Sequence, residues 1–299
     1  MNRQVLVNDK IQQRDVYNRT EPGAPPPITS SRSVQALWSR WTTTWVASVT
    51  GRRVVPFCLL VVFAAGSVSA QTSMPGRIGI TVEGLNVWQQ RNDVRIPPDT
   101  GTEFSLVDLI GSSPTPSVRV MGTANVTDRQ QVRFVYAPLR LSGRGTPAMP
   151  IAFAGTTFAP APTEAVYQFS SYRGTWSYRV YQGPTWTWRL GFTGFVRDAR
   201  VALTQSDRTA EDTDVSFVPL GHVSAEARLA ERWSVGLALD GSAAPQGRAI
   251  DFATVLQYRP APRWTVFGGY RTIEGGADVD AVYTFAWLNA VVTGIGVRF

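Results

Sequence analysis

Hydrophobic and polar residues alternate along most of the chain after residue 77, and the pattern sharpens toward the carboxyl end. In Ala281–Phe299, the residues Phe299, Val297, Ile295 and Val291 fall on one parity, and Arg298, Gly296 and Gly294 on the other. A period of two over that length is a strand with one apolar face and one small or polar face. The same unit, an alternating run and then a turn, recurs upstream. It predicts ten strands: Arg77–Gln89, Ser117–Val126, Gln131–Leu141, Thr163–Tyr181, Trp186–Leu203, Val215–Leu229, Trp233–Asp240, Ile250–Arg259, Trp264–Ile273 and the terminal stretch. Four short connections, at Asp128, Gln182-Gly183-Pro184, Ala230-Glu231 and Pro260-Ala261-Pro262, alternate with longer polar segments. Those segments, 90–116, 142–162, 204–214, 241–249 and 274–281, are expected to be loops.

Short turns at one end and longer loops at the other are the habit of transmembrane barrels, and runs of ~10 residues are long enough to cross when tilted. An even strand count brings both chain ends back to the periplasmic side. The first two runs are the weakest, so eight or twelve strands also fit. Aromatics collect where the runs begin. Trp186, Trp233 and Trp264 each follow a short turn, and Tyr178, Trp188, Tyr258 and Phe299 share their level and their apolar parity. Amphipathic rings favour the headgroup zone, so these seven form a candidate belt.

The terminal stretch resembles the C-terminal signal of bacterial outer-membrane β-barrel proteins, which commonly finish on Phe with apolar residues at alternate positions. The resemblance implies an all-β, transmembrane, antiparallel up-and-down barrel in the bacterial outer membrane, wetted by outer-membrane lipid. It also implies handling by the barrel-assembly machinery through the strand ending at Phe299. It points to an architecture and not to an activity. Parity alone leaves a soluble periplasmic carrier of lipocalin type open, with its apolar face turned inward around a ligand.

Composition divides the chain. Residues 1–70 hold eight of the 29 basic and three of the 22 acidic side chains, which leaves 21 and 19 to residues 71–299. So nearly balanced a main portion gives no reason to expect nucleic acid as a partner. Residues 1–50, with the Pro-rich run Glu21–Pro27, read as an unfolded extension, or as sequence ahead of a true translation start near Val49 or Val54. Residues 51–70 read as a signal peptide: Arg52-Arg53, the apolar run Val54–Ala65, then Val68-Ser69-Ala70 at cleavage spacing. That run is too short for a helical span, which needs about 20 residues. Cleavage after Ala70 would remove Cys58, the only cysteine, and leave a barrel of residues 71–299 without thiol chemistry.

With the apolar row outward, the other face lines a lumen. It carries Arg133, Arg173, Arg179, Arg189, Arg197, Arg228, Arg259, Arg271 and Arg298 against Glu83, Glu226, Asp240 and Asp251. Two readings compete: an anion-favouring vestibule, and a packed ion-pair network that replaces an apolar core. Eight strands leave room only for side chains and open channels need about sixteen, so ten favour the network. His222, the sole histidine, shares a parity with Ser224 and Glu226. A His-x-Ser pair on a strand is similar to the site of outer-membrane lipid A deacylases, where His activates Ser and a carboxylate comes from the neighbouring strand. That likeness implies a lipid-modifying hydrolase using His222 and Ser224. Against it, the pair shares the lumenal parity, and i and i+2 residues lie ~6–7 Å apart along a strand, which is long for a direct hydrogen bond. Omptin proteases resemble the chain in strand number, but Asp212 and Asp214 lack a rim histidine. No phosphate loop or Cys/His cluster implies a cofactor or metal, and the acidic segment Gly275–Asp280 reads as solvated. Oligomeric state is not legible.

Overall fold

The computed structural model describes residues 77–245, 247–279 and 282–299. The expected extension, the leader and its cleavage after Ala70 lie outside the described residues. In chain order the elements are β1 (Ile78–Arg95), β2 (Phe104–Ser105), the short helix α1 (Leu106–Ile110), β3 (Thr115–Asn125), β4 (Gln130–Ala137) and β5 (Arg140–Gly145). They continue with β6 (Ile151–Phe153), β7 (Thr156–Phe158), β8 (Thr163–Gln182), β9 (Trp186–Gln205) and β10 (Arg208–Arg228). The last four are β11 (Trp233–Ala244), β12 (Gly247–Ala261), β13 (Trp264–Val279) and β14 (Val282–Arg298).

Ten of these strands are the staves of a closed antiparallel barrel, in the order β1, β3, β4, β8, β9, β10, β11, β12, β13, β14. Pairing of β14 with β1, from Gly79↔Arg298 to Arg95↔Tyr283, removes the two edges. The Phe299 amide donates to the Ile78 carbonyl at 2.8 Å and fastens the last residue to the first strand. Beyond β4, β5 carries the same stave onward against β8. The predicted run Gln131–Leu141 is therefore two strands with a break at Pro138-Leu139.

Three of the expected loops are mostly strand. β9 and β10 pair all the way to Gln205↔Arg208, β11 and β12 to Ala244↔Gly247, and β13 and β14 to Val279↔Val282. The polar segments 204–214, 241–249 and 274–281 are thus largely hairpin extensions. The reason is physical: beyond the hydrocarbon both faces of a strand can be polar, so hydropathy loses its contrast while backbone pairing continues. β8, β9 and β10, with 20, 20 and 21 residues, are about twice the ~9–11 needed to cross. Between staves, only 96–114 and 146–162 leave the barrel wall. They fold back over the end opposite the start of β1 and the end of β14, where Phe104, Leu106, Leu109, Phe153 and Phe158 are buried against β1, β5 and β8.

Side chains sort by parity along the staves. The outward row includes Trp186, Leu190 and Phe192 on β9, Phe217 on β10, Val266 on β13 and Ile295 on β14, all exposed. Charged and small residues alternate with them on the inside. A soluble carrier needs the reverse polarity. Near the start of β1 and the end of β14 the lumen is narrowed by the Phe267 ring, which lies so close to Gly294 that an added Cβ would sit 2.2 Å from it.

Depth dependence tests this sorting. Phe192→Arg, near the middle of the outward band, should cost about 2–4 kcal/mol, whereas Trp264→Arg at its edge should cost about 0–1 kcal/mol. Equilibrium unfolding from lipid vesicles measures both; equal costs would contradict the assigned faces.

Candidate functional site

The middle of the lumen is crossed by a continuous polar network. Glu83 accepts from Arg119 at 3.0 Å and lies 3.7 Å from Arg271. Asp251 accepts from Arg173 at 2.5 Å through one oxygen and from Arg271 at 2.6 Å through the other. Asp240 lies 3.7 Å from Arg173 and 3.6 Å from Arg133, and accepts from the Thr193 hydroxyl at 2.7 Å. Thr193 also meets Thr175 at 2.8 Å. These residues come from β1, β3, β4, β8, β9, β11, β12 and β13, so the network ties the lumen from wall to wall.

The side chains are buried: Glu83, Asp240, Asp251, Arg119, Arg173 and Arg271 are all at most 6% exposed. A charge so placed is tolerable only when paired. Each member stands at an inward parity position of its stave, which the alternation dictates. Arg133, Arg173, Arg271, Glu83, Asp240 and Asp251 are lumenal candidates that the fold brings together. Arg119 and Thr193 also belong here. Arg119 stands between Val118 and Val120, a parity signal visible in the sequence but masked by the weakness of that run.

His222 on β10 completes the network. Its Nδ1 lies 2.7 Å from Asp240 Oδ1 and its Nε2 3.2 Å from Ser224 Oγ. With Nδ1 carrying the proton, His222 donates to Asp240 and Nε2 accepts from the Ser224 hydroxyl. The expected ~6–7 Å gap is a backbone spacing; the imidazole leans along the strand and closes it. The carboxylate is Asp240, directly opposite His222 in the β10–β11 register, and not Glu226. Glu226 instead pairs with Arg259. Ser224 is half-buried on the side of the network that faces the start of β1 and the end of β14.

The remaining lumenal arginines sit nearer that end. Arg189 donates to the Arg129 carbonyl at 3.3 Å and lies opposite Arg179, and Arg228 is exposed. Of the seven belt candidates, Trp186 and Trp188 stack at 5.7 Å, Trp233 and Tyr258 meet at a tilt at 4.8 Å, and Tyr178 accepts from Arg129 at 3.1 Å. Trp264 and Phe299 are exposed. Asp212 and Asp214 lie on strand β10 rather than in a loop, and Asp214 accepts from Arg197 at 2.6 Å. His222 is far below them. Among the described residues no group of three or more His, Cys, Asp or Glu could hold a metal.

Removing one anion should expose what the network contributes. Asp251→Ala leaves Arg173 and Arg271 buried without their shared carboxylate and should cost about 3–5 kcal/mol. The urea midpoint of folding into vesicles reports it; a change below about 1 kcal/mol would mean that water fills the lumen there.

No protein-family model matches the chain, and neither does any curated protein. Solved structures do. The outer membrane protease OmpT from Escherichia coli overlays with a TM-score of 0.51 at 9% identity, covering 76% of this chain and 98% of that one. The attachment invasion locus protein Ail of Yersinia pestis covers 76% and 100% at 10% identity and a TM-score of 0.38, too low to add weight. At such identity the likeness to OmpT concerns the fold alone. The fold is that of a bacterial outer-membrane β-barrel.

Proposed function

We propose that this protein is an integral barrel of the bacterial outer membrane whose lumen is filled at mid-height, with a structural or surface-interacting role and at most slow passage of small solutes. The short turns and both ends of the described barrel face the periplasm, following the usual asymmetry of such barrels. The long ends of β8, β9 and β10 project outside the cell. The observation that carries this reading is the buried network through Glu83, Arg119, Arg173, Asp240, Asp251 and Arg271. Opening a water path would require uncoupling several buried ion pairs at once, each costly to break alone. Planar-bilayer recording tests it. No sizeable conductance steps are expected; a large anion-selective conductance would contradict the reading and restore the vestibule.

The His222 geometry favours a second reading, hydrolysis of an ester or acyl amide at Ser224. Nε2 is placed to take the hydroxyl proton as Oγ attacks a carbonyl carbon, and Asp240 holds the imidazole in the required tautomer. This nucleophile, base and orienting carboxylate are chained by hydrogen bonds, as such chemistry requires. The first reading treats the same three groups as part of the filling. Purified protein with p-nitrophenyl esters and a fluorophosphonate label separates the two. Hydrolysis that falls roughly a thousandfold or more in Ser224→Ala, with label on Ser224, would establish catalysis. No label and no turnover would leave the filled barrel.

A further inference from the structure

Above the network, on the side away from the start of β1 and the end of β14, the lumen changes character. It opens into a cavity of about 330 Å³, reaching up to Ala244, Gly247 and Ala277 beside the hairpin tips. One wall is aromatic and aliphatic: Tyr167 stacks on Phe169 at 6.3 Å, and Phe169 meets Phe195 edge-on at 6.2 Å. The facing wall carries small inward residues, Ala249, Gly275, Ala277 and Ala286, which give the space its width. The floor is Arg173 and Asp251, already committed to each other. Exposing so much apolar surface to a water-filled lumen is unfavourable by ~25 cal/mol per Å². Pockets of this make-up, mostly apolar with few polar groups, are typical of small-molecule sites.

Two polar groups in the cavity lack partners. Tyr167 is only 7% exposed, yet its hydroxyl makes no hydrogen bond among the described residues. Asp212 has no ion-pair partner among them, although its neighbour Asp214 is held by Arg197. The register puts the two at one level: Tyr167 pairs with Val201 on β9, and Val201 pairs with Asp212 on β10. All three positions line the cavity. From Tyr167 down β8 to Arg173 is roughly 20 Å of strand at ~3.3 Å per residue, the reach of one extended fatty chain.

We propose that this cavity binds a single-chain amphiphile with a cationic amine head, the chain lying along Phe169, Phe195, Ile273 and Leu288 and the head between Asp212 and the Tyr167 hydroxyl. An ammonium group donates hydrogen bonds and carries the charge that Asp212 lacks. Arg197 on the same wall is already paired with Asp214, so the uncompensated charge there is the Asp212 carboxylate, which repels a carboxylate head. The site is separate from Ser224, which opens toward the other end of the lumen. It does not depend on conduction, so a bilayer recording and a binding measurement stand or fall separately.

Equilibrium dialysis of tritiated dodecylamine against the full chain in nanodiscs, with empty nanodiscs as blank, tests the proposal. One saturable site per chain is expected, with dodecanoate competing at least tenfold more weakly than unlabelled amine. Asp212→Asn should weaken binding about tenfold and erase the preference for amine. Ala249→Trp should fill the cavity and abolish binding, while Phe252→Trp, on the outward parity of the same strand and outside the cavity lining, should leave it unchanged. Heat-modifiable migration confirms that each variant is folded. Absence of saturable binding above the blank, equal competition by dodecanoate, or wild-type binding by folded Asp212→Asn and Ala249→Trp would overturn the assignment.

Discussion

A backbone amide in hydrocarbon has no water to turn to, and leaving it unpaired costs several kcal/mol. A sheet can therefore enter a bilayer only when its first and last strands find each other. Here the run of β1–β14 pairs, ended by the Phe299 amide on the Ile78 carbonyl, performs that closure. Once it is made, the alternation of side chains has a fixed meaning. Within the hydrocarbon, outward residues meet lipid and inward ones face the lumen, and the position of each arginine follows from its parity.

Closure also sets the problem that the lumen solves. Ten staves enclose more space than an apolar row could fill, because the apolar row is on the outside. The inside is filled by long charged side chains that reach across: Arg173 and Arg271 from opposite sides of one Asp251 carboxylate, Arg119 onto Glu83, and His222 onto Asp240. Paired ions stand where a soluble protein would place leucines. The same arrangement that fills the space also lines up Ser224, His222 and Asp240, so packing and potential chemistry rest on the same atoms. Above it the filling stops, and apolar lining takes over around Tyr167 and Phe195.

Much of this was legible in the sequence. The period of two located all ten staves, and the turns beside Trp186, Trp233 and Trp264 set their starts. The extent of the distal hairpins was not legible. Residues such as Thr209, Glu211 and Thr213 are polar because they project beyond lipid, and polarity reads as loop when only hydropathy is followed. Parity named Asp240 and His222 as lumenal, but only register could show that they face each other. It likewise took the pairing of Tyr167, Val201 and Asp212 across three strands to reveal a cavity wall. The His222–Ser224 contact was missed because strand rise describes backbones and ignores how far an imidazole can lean.

The sorting of faces is the claim on which fold, lumen and cavity all depend, and site-directed spin labelling measures it most directly. Nitroxides at Leu190, Val235 and Ile295, with one at the inward Ala238 for contrast, would be exposed in lipid vesicles to oxygen and to a water-soluble nickel chelate. Oxygen should relax the first three strongly while the chelate barely reaches them, and the label at Ala238 should not share that oil-like signature. Free access of the chelate to Leu190, Val235 and Ile295 would contradict the account.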